Sequence, residues 1–141
     1  MTEIIETEAI ESARKFFDLL PSVPAYAYRV INLSNEGFDY YLVIFGKTDA
    51  SIAIAAIGTT KGDIRISARL PGTSAHLTIN KNRALELCNS DNNVTAEMVW
   101  EPGNLSRSPL YPIWKIYTSP KEKYINQQGI ISGKPGSITA V

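Results

Sequence analysis

His76 and Cys88 are the only histidine and the only cysteine in this 141-residue chain, so a thiolate–imidazole pair is the one cysteine nucleophile the sequence offers. The surroundings of both residues argue against it. Cys88 follows Leu85 and Leu87 at the end of an apolar-striped stretch, where a small buried hydrophobe is expected. His76 follows Gly72-Thr73-Ser74 and is expected on an exposed loop. A lone histidine cannot build a histidine metal site, and the carboxylates are scattered, with no spacing that suggests a glycosidase pair or a cation cage. The turn Gly58-Thr59-Thr60-Lys61-Gly62 lacks the Gly-Lys-Ser/Thr ending of a phosphate loop and feeds an alternating stretch. No catalytic residue, metal or cofactor is expected.

Binding chemistry is better represented. Arg65 and Arg69 lie four apart in Ile64–Leu70, where Ile64, Ile66, Ala68 and Leu70 should face a core and Arg65, Ser67 and Arg69 water. Arg107 and Tyr111 fall in Ser106-Arg-Ser-Pro-Leu-Tyr-Pro-Ile-Trp-Lys-Ile-Tyr117, which packs an arginine, two prolines and three large aromatics into twelve residues. With His76, these are the candidate binding residues: Arg65, Arg69, His76, Arg107 and Tyr111.

Helices and strands must position them. Ile5, Ala9, Ala13, Phe16, Phe17 and Leu20 recur at helical spacing, predicting an amphipathic helix over 2–20, capped by Thr2 and stopped by Pro21. Period-two stretches follow at 26–33, 38–46, 51–58 and 64–70, with turn residues between them. Thr78 or Asn80 then caps a short helix over 81–88 that buries Ala84, Leu85 and Cys88. Further strands are expected at 94–100, 113–118 and 123–132, with Pro112 placed where a strand can begin without losing a ladder donor. The Gly/Pro/Ser tail 133–141 should fray.

The order helix, strand, strand, strand occurs over 2–70 and again over 80–132. Tyr40–Ile44 and the run Ile57 to Ile64 parallel Ile113–Tyr117 and Ile125 to Ile131, with Gly62 and Gly129 at positive-φ turn positions. Ala84 and Leu85, Trp114 to Ile116, and Tyr124-Ile125-Asn126-Gln127-Gln128-Gly129-Ile130-Ile131 resemble the PepSY-like domains, as two tandem copies. That family has an aspartate where Asn126 stands here, and the first copy has Gly58 there. The resemblance, shared with cystatin-like and inhibitor-like layouts, implies a binding module rather than a catalyst. The expected fold is α+β: one domain over 1–141, an antiparallel sheet packed by two helices and built from two α-β-β-β repeats.

Composition narrows the function classes. Fourteen Lys+Arg balance 14 Asp+Glu, which gives no long-range pull on nucleic acid or anionic lipid. Ile52–Ile57, as long as any apolar run in the chain, is too short to span a bilayer, and the glutamate-rich start does not read as a secretory signal. The expectation is a non-enzymatic cytoplasmic binding or regulatory module with a protein partner, no nucleic acid or membrane, and room for a homodimer. The alternative is a small-molecule binder or modest enzyme with a pocket on a concave sheet face.

Overall fold

Twelve residues, Glu6–Phe17, form helix α1 in a computed structural model that describes residues 2–34, 37–89, 94–118 and 121–136. The helix is shorter than its apolar periodicity predicts, and local chemistry explains both ends. Glu8 reaches back so that its Oε1 accepts the Ile5 N–H at 3.1 Å, which makes Ile5 rather than Thr2 the N-cap residue. At the other end Asp18 turns left-handed (φ 54°), and the Leu19 N–H closes onto the Arg14 carbonyl at 3.1 Å, three residues before Pro21. Ala9, Ala13 and Phe17 are the buried stripe, whereas Ile5, Phe16 (54% exposed) and Leu20 (70% exposed) are not part of it.

By its internal contacts the chain forms two units, one of Met1–Val30 with Phe38–His76, the other of Ile31–Gly37 with Leu77–Val141. In the first, strands β1 (Ala25–Asn32, as far as Val30), β2 (Tyr40–Lys47), β3 (Ala50–Gly58) and β4 (Ile64–Arg69) form an antiparallel meander in the order β4-β3-β2-β1. The register places three rows on the face that α1 covers: Arg29–Tyr41–Ile57–Ile64, Ala27–Val43–Ala55–Ser67 and Ala25–Phe45–Ala53–Arg69. Alanines at Ala9 and Ala13 meet alanines at Ala53 and Ala55, so the helix backbone can approach the sheet closely. Phe17 fills the remaining width and packs edge-on against Phe45 with ring centroids 5.9 Å apart.

The opposite face is not wet. Leu42, Ile44, Ile54 and Ala56 are buried there as fully as their neighbours on the helix side, which agrees with the nearly unbroken apolar runs of β2 and β3. A β-bulge in β4 overturns the expected alternation of that strand. Ile57 pairs with Ile64 but Ala56 pairs with Ile66, so one residue is inserted and every later side chain changes face. Ser67 and Arg69 therefore lie on the helix side and Ile66 and Ala68 on the other.

In the second unit, α2 (Lys81–Leu87) is capped by Asn80, whose Oδ1 accepts the Arg83 N–H at 2.8 Å. It packs on β6 and buries Ala84 and Leu85, with Cys88 buried just beyond its end, as its periodicity predicts. The strands β5 (Ala96–Trp100), β6 (Ile113–Thr118), β7 (Lys121–Ile125) and β8 (Ile131–Ser132) form a second antiparallel meander. The last residues of β1 join it in parallel, Ile31 beside Val99 and Asn32 beside Trp100. Trp114, on the α2 side, sends its Nε1–H to the Ile79 carbonyl at 2.8 Å, while the Nε1–H of Trp100 is buried with no partner among the described residues.

The architecture is α+β, with two helices and eight strands in a mostly antiparallel arrangement. Each helix is followed by four strands rather than three. In the second unit the run read as one strand over 123–132 is broken by a turn at Asn126–Gly129, where Gly129 has φ 80°, as Gly62 has φ 69° in the first. The tail expected to fray over 133–141 is described as far as Gly136, and 137–141 lie outside the described residues, as do the turn positions 35–36 and the polar stretch 90–93. No helix among the described residues is long and apolar enough to cross a membrane.

Candidate functional site

The turn that ends β7 carries two buried carboxamides, Asn126 and Gln127. Asn126 organises the turn itself: its Oδ1 accepts the N–H groups of Gln128 (3.0 Å) and Ile130 (2.9 Å), and the Gly129 N–H returns to its carbonyl at 3.1 Å. Its Nδ2 then donates to the carbonyl of Leu105 at 3.0 Å. Gln127 points elsewhere in the same unit. Its Nε2 donates to the Pro112 carbonyl at 3.3 Å, its Oε1 accepts the Ile79 N–H at 2.9 Å, and its backbone carbonyl accepts the Thr78 hydroxyl.

Leu105 and Pro112 are the two ends of one loop, so adjacent residues hold both ends from inside. Leu105, Ser106, Leu110 and Pro112 are buried, the leucines and proline as apolar ballast. The Ser106 hydroxyl donates to the Tyr111 carbonyl and faces that of Ser108 at 3.1 Å. The Tyr111 N–H closes a turn onto the Ser108 carbonyl at 3.0 Å, and the Leu110 N–H meets the Ser108 hydroxyl at 3.2 Å. The polar groups named here are thus satisfied within the loop or by the two carboxamides. Arg107 and Tyr111 (45% exposed) project outward from this frame, and no described residue pairs with the Arg107 guanidinium.

Beside the loop anchors runs the sheet face opposite α2. Glu97, Lys115 and Tyr124 form one cross-strand row, and Glu122 stands opposite Tyr117 in the next. The Tyr124 hydroxyl donates to Glu122 at 2.8 Å, and Lys115 Nζ lies 3.5 Å from the same carboxylate. Burial first, and then the Glu122 bond with the negative charges of Glu122, Glu101 and Glu97, pushes the Tyr124 phenol up to about 12. The Tyr124 hydrogen bond, aided by Lys115, holds Glu122 below the usual carboxylate value. A phenol kept neutral in this way is a hydrogen-bond donor, not a base.

Neither a protein-family model, nor a curated protein, nor a solved structure matches this chain.

The residues singled out by sequence divide between the two units: Arg65, Arg69 and His76 in the first, Arg107 and Tyr111 in the second. Arg69 is exposed, as expected, but it stands on the α1 side of the sheet rather than on the face away from the helix. Its Nη2 donates to the Phe17 carbonyl at 3.2 Å, at the negative end of α1, and its guanidinium lies 5.4 Å from the Phe17 ring centre. Arg65 stacks over Phe38 at 5.5 Å and sits 3.6 Å from Asp63. His76 is half-buried rather than exposed, and its backbone N–H donates to the Ser51 hydroxyl at 3.0 Å. Cys88 is buried and its thiol is pushed up by burial against the opposing pull of Lys123, which disfavours the thiolate.

Outside the PepSY-like resemblance, neither residue type nor spacing singles out Asn126 and Gln127. The available signal is positional: three successive carboxamides, Asn126, Gln127 and Gln128, stand directly after the apolar end of a strand and immediately before a glycine. Among the described residues no group of histidine, cysteine, aspartate and glutamate is placed to hold a metal ion.

Proposed function

We propose that this chain is a non-enzymatic binding module that recognises a protein partner through the loop between Leu105 and Pro112, with Arg107 and Tyr111 as its contact residues. One observation carries the reading: the buried carboxamides of Asn126 and Gln127 hold the two loop ends from within. A loop tethered in this way loses little conformational entropy on association, and arginine and tyrosine are residue types that dominate interface energies. The thiol of Cys88 is buried and the phenol of Tyr124 stays neutral, so neither supplies a nucleophile at neutral pH.

The two-copy plan belongs to the same proposal. Each unit sets one helix before a four-strand meander, and glycine takes a positive φ at corresponding turns, which supports reading the halves as variants of one PepSY-like pattern. Affinity capture with wild type, Arg107→Ala, Tyr111→Ala and the control Arg83→Ala tests the binding surface. Wild type and the control should retain a common partner that both loop variants lose, at unchanged melting temperature. Equal retention by all four proteins removes the loop from the function.

A further inference from the structure

Among the described residues the outermost strand of the first unit, β4, pairs with β3 alone, which leaves one side of its backbone without a ladder partner. The Leu70 N–H donates to the Ile52 carbonyl at 2.8 Å, which fixes the phase of the ladder: Ala68 and Ile66 exchange bonds with β3, whereas the N–H and C=O of Ser67 and Arg69 are directed away from it. This open stretch is bordered on one side by Arg69 and on the other by Arg65, Ile66 (38% exposed) and Phe38 (65% exposed). An ideal Cβ on Gly58 would stand 2.9 Å from Arg65 Nε, which puts Arg65 on the face away from α1, together with Ile66.

We propose that β4 accepts an extended acidic segment of another protein as an added antiparallel strand. The backbone groups of Ser67 and Arg69 would supply the ladder bonds, and Arg65 and Arg69 the charge complementarity. The bulge makes the requirement more specific. With the inserted residue, the four-residue step from Arg65 to Arg69 in β4 matches a three-residue step on a regular strand, so the two carboxylates should be three residues apart, one on each face. A second copy of this chain fits poorly, because its β4 brings the same two arginines to the new ladder. This surface lies in the first unit, and the proposal does not depend on the loop at Arg107.

The probe is the labelled peptide Ac-TVEVTDVT-amide, compared with the same peptide carrying lysine at both acidic positions, with fluorescence anisotropy as readout. The acidic peptide should bind, and the lysine peptide should bind more weakly by about tenfold or more. Ser67→Pro removes an outward N–H without touching the β3 ladder, and it should abolish binding while the protein still melts cooperatively. If that variant does not fold, Arg65→Glu replaces it and should reverse the preference between the two peptides. Arg107→Ala should bind the peptide as wild type does, which separates this surface from the loop. Failure of the acidic peptide to bind, equal affinity for both peptides, or undiminished binding by Ser67→Pro overturns the proposal, as does a wild-type dimer dispersed by Ser67→Pro.

Discussion

Asn126 holds Leu105 by a single hydrogen bond, Nδ2 to carbonyl oxygen at 3.0 Å, and through it ties the turn after β7 to the start of the projecting loop. The same carboxamide accepts two turn amides, so one buried side chain serves three backbone partners. Truncation leaves those partners without their bonds, the Leu105 carbonyl in a buried setting and the two turn amides in a half-buried one. Asn126→Ala is expected to cost about 2–4 kcal/mol, measured by urea denaturation with an unchanged m-value. A cost near zero would mean that the carboxamide does not anchor the loop.

Arg69 shows why part of this was hidden in the sequence. Alternation over Ile64–Leu70 is unbroken in the residue types, and only the pairing of Ile57 with Ile64 and of Ala56 with Ile66 reveals the inserted residue that turns Arg69 toward α1. Other features were legible because one local rule decides them. Ala9 and Ala13 are spaced for a helix stripe, Gly62 and Gly129 sit where a positive φ is needed, Asn80 caps α2, and Pro112 directly precedes a strand. Phe16 and Leu20 fit the helical period, but the left-handed Asp18 ends the helix before Leu20. Burial of Asn126 and Gln127 depends on backbone partners up to 48 residues away, which no local pattern encodes.

Arg69→Ala should therefore act on stability. It removes the hydrogen bond to the Phe17 carbonyl and the guanidinium against the Phe17 ring, at the end of α1 where a cation is favourable. The expected loss is about 1 kcal/mol by chemical denaturation, with Arg65→Ala nearer to zero because Arg65 rests on an exposed ring and a long ion pair. Equal effects for the two substitutions would contradict the helix-capping role.

The two tryptophans should respond unequally. Trp114→Phe breaks the bond to the Ile79 carbonyl, just before α2, whereas Trp100→Phe removes an indole N–H that has no partner among the described residues. Beyond the area lost in each case, Trp114→Phe should be more destabilising by about 1 kcal/mol. Thermal melts of the two variants side by side decide this, and the reverse order would refute it.

Alkaline pH should expose the burial of Tyr124. Its phenol is raised to about 12 in the folded protein against about 10 in an unfolded chain, so the folded state holds the proton more tightly. The resulting stability is fully present below the unfolded value and is lost as pH rises from about 10 through about 12. Phenolate absorbance of the native protein should show late-titrating steps, one of which Tyr124→Phe removes. Tyr28 and Tyr40, also raised by burial, should remain in the part of the curve that this substitution leaves unchanged. A normal titration of every tyrosine would contradict the buried position of Tyr124.

Loop rigidity and loop chemistry should come apart by substitution within residues 106–111. Ser106 is buried and its hydroxyl meets carbonyls inside the loop, whereas Arg107 is exposed and unpaired among the described residues. Ser106→Ala leaves the Tyr111 carbonyl without that donor and should accelerate hydrogen exchange at the Tyr111 amide, which is bonded to Ser108 at 3.0 Å. Arg107→Ala should leave that exchange rate unchanged while it weakens partner capture. If Arg107→Ala also accelerates exchange, its side chain contributes to loop order, and a loss of binding could no longer be assigned to contact alone. If Ser106→Ala leaves exchange untouched and still weakens capture, Ser106 acts at the contact surface and the internal frame is not what presents Arg107.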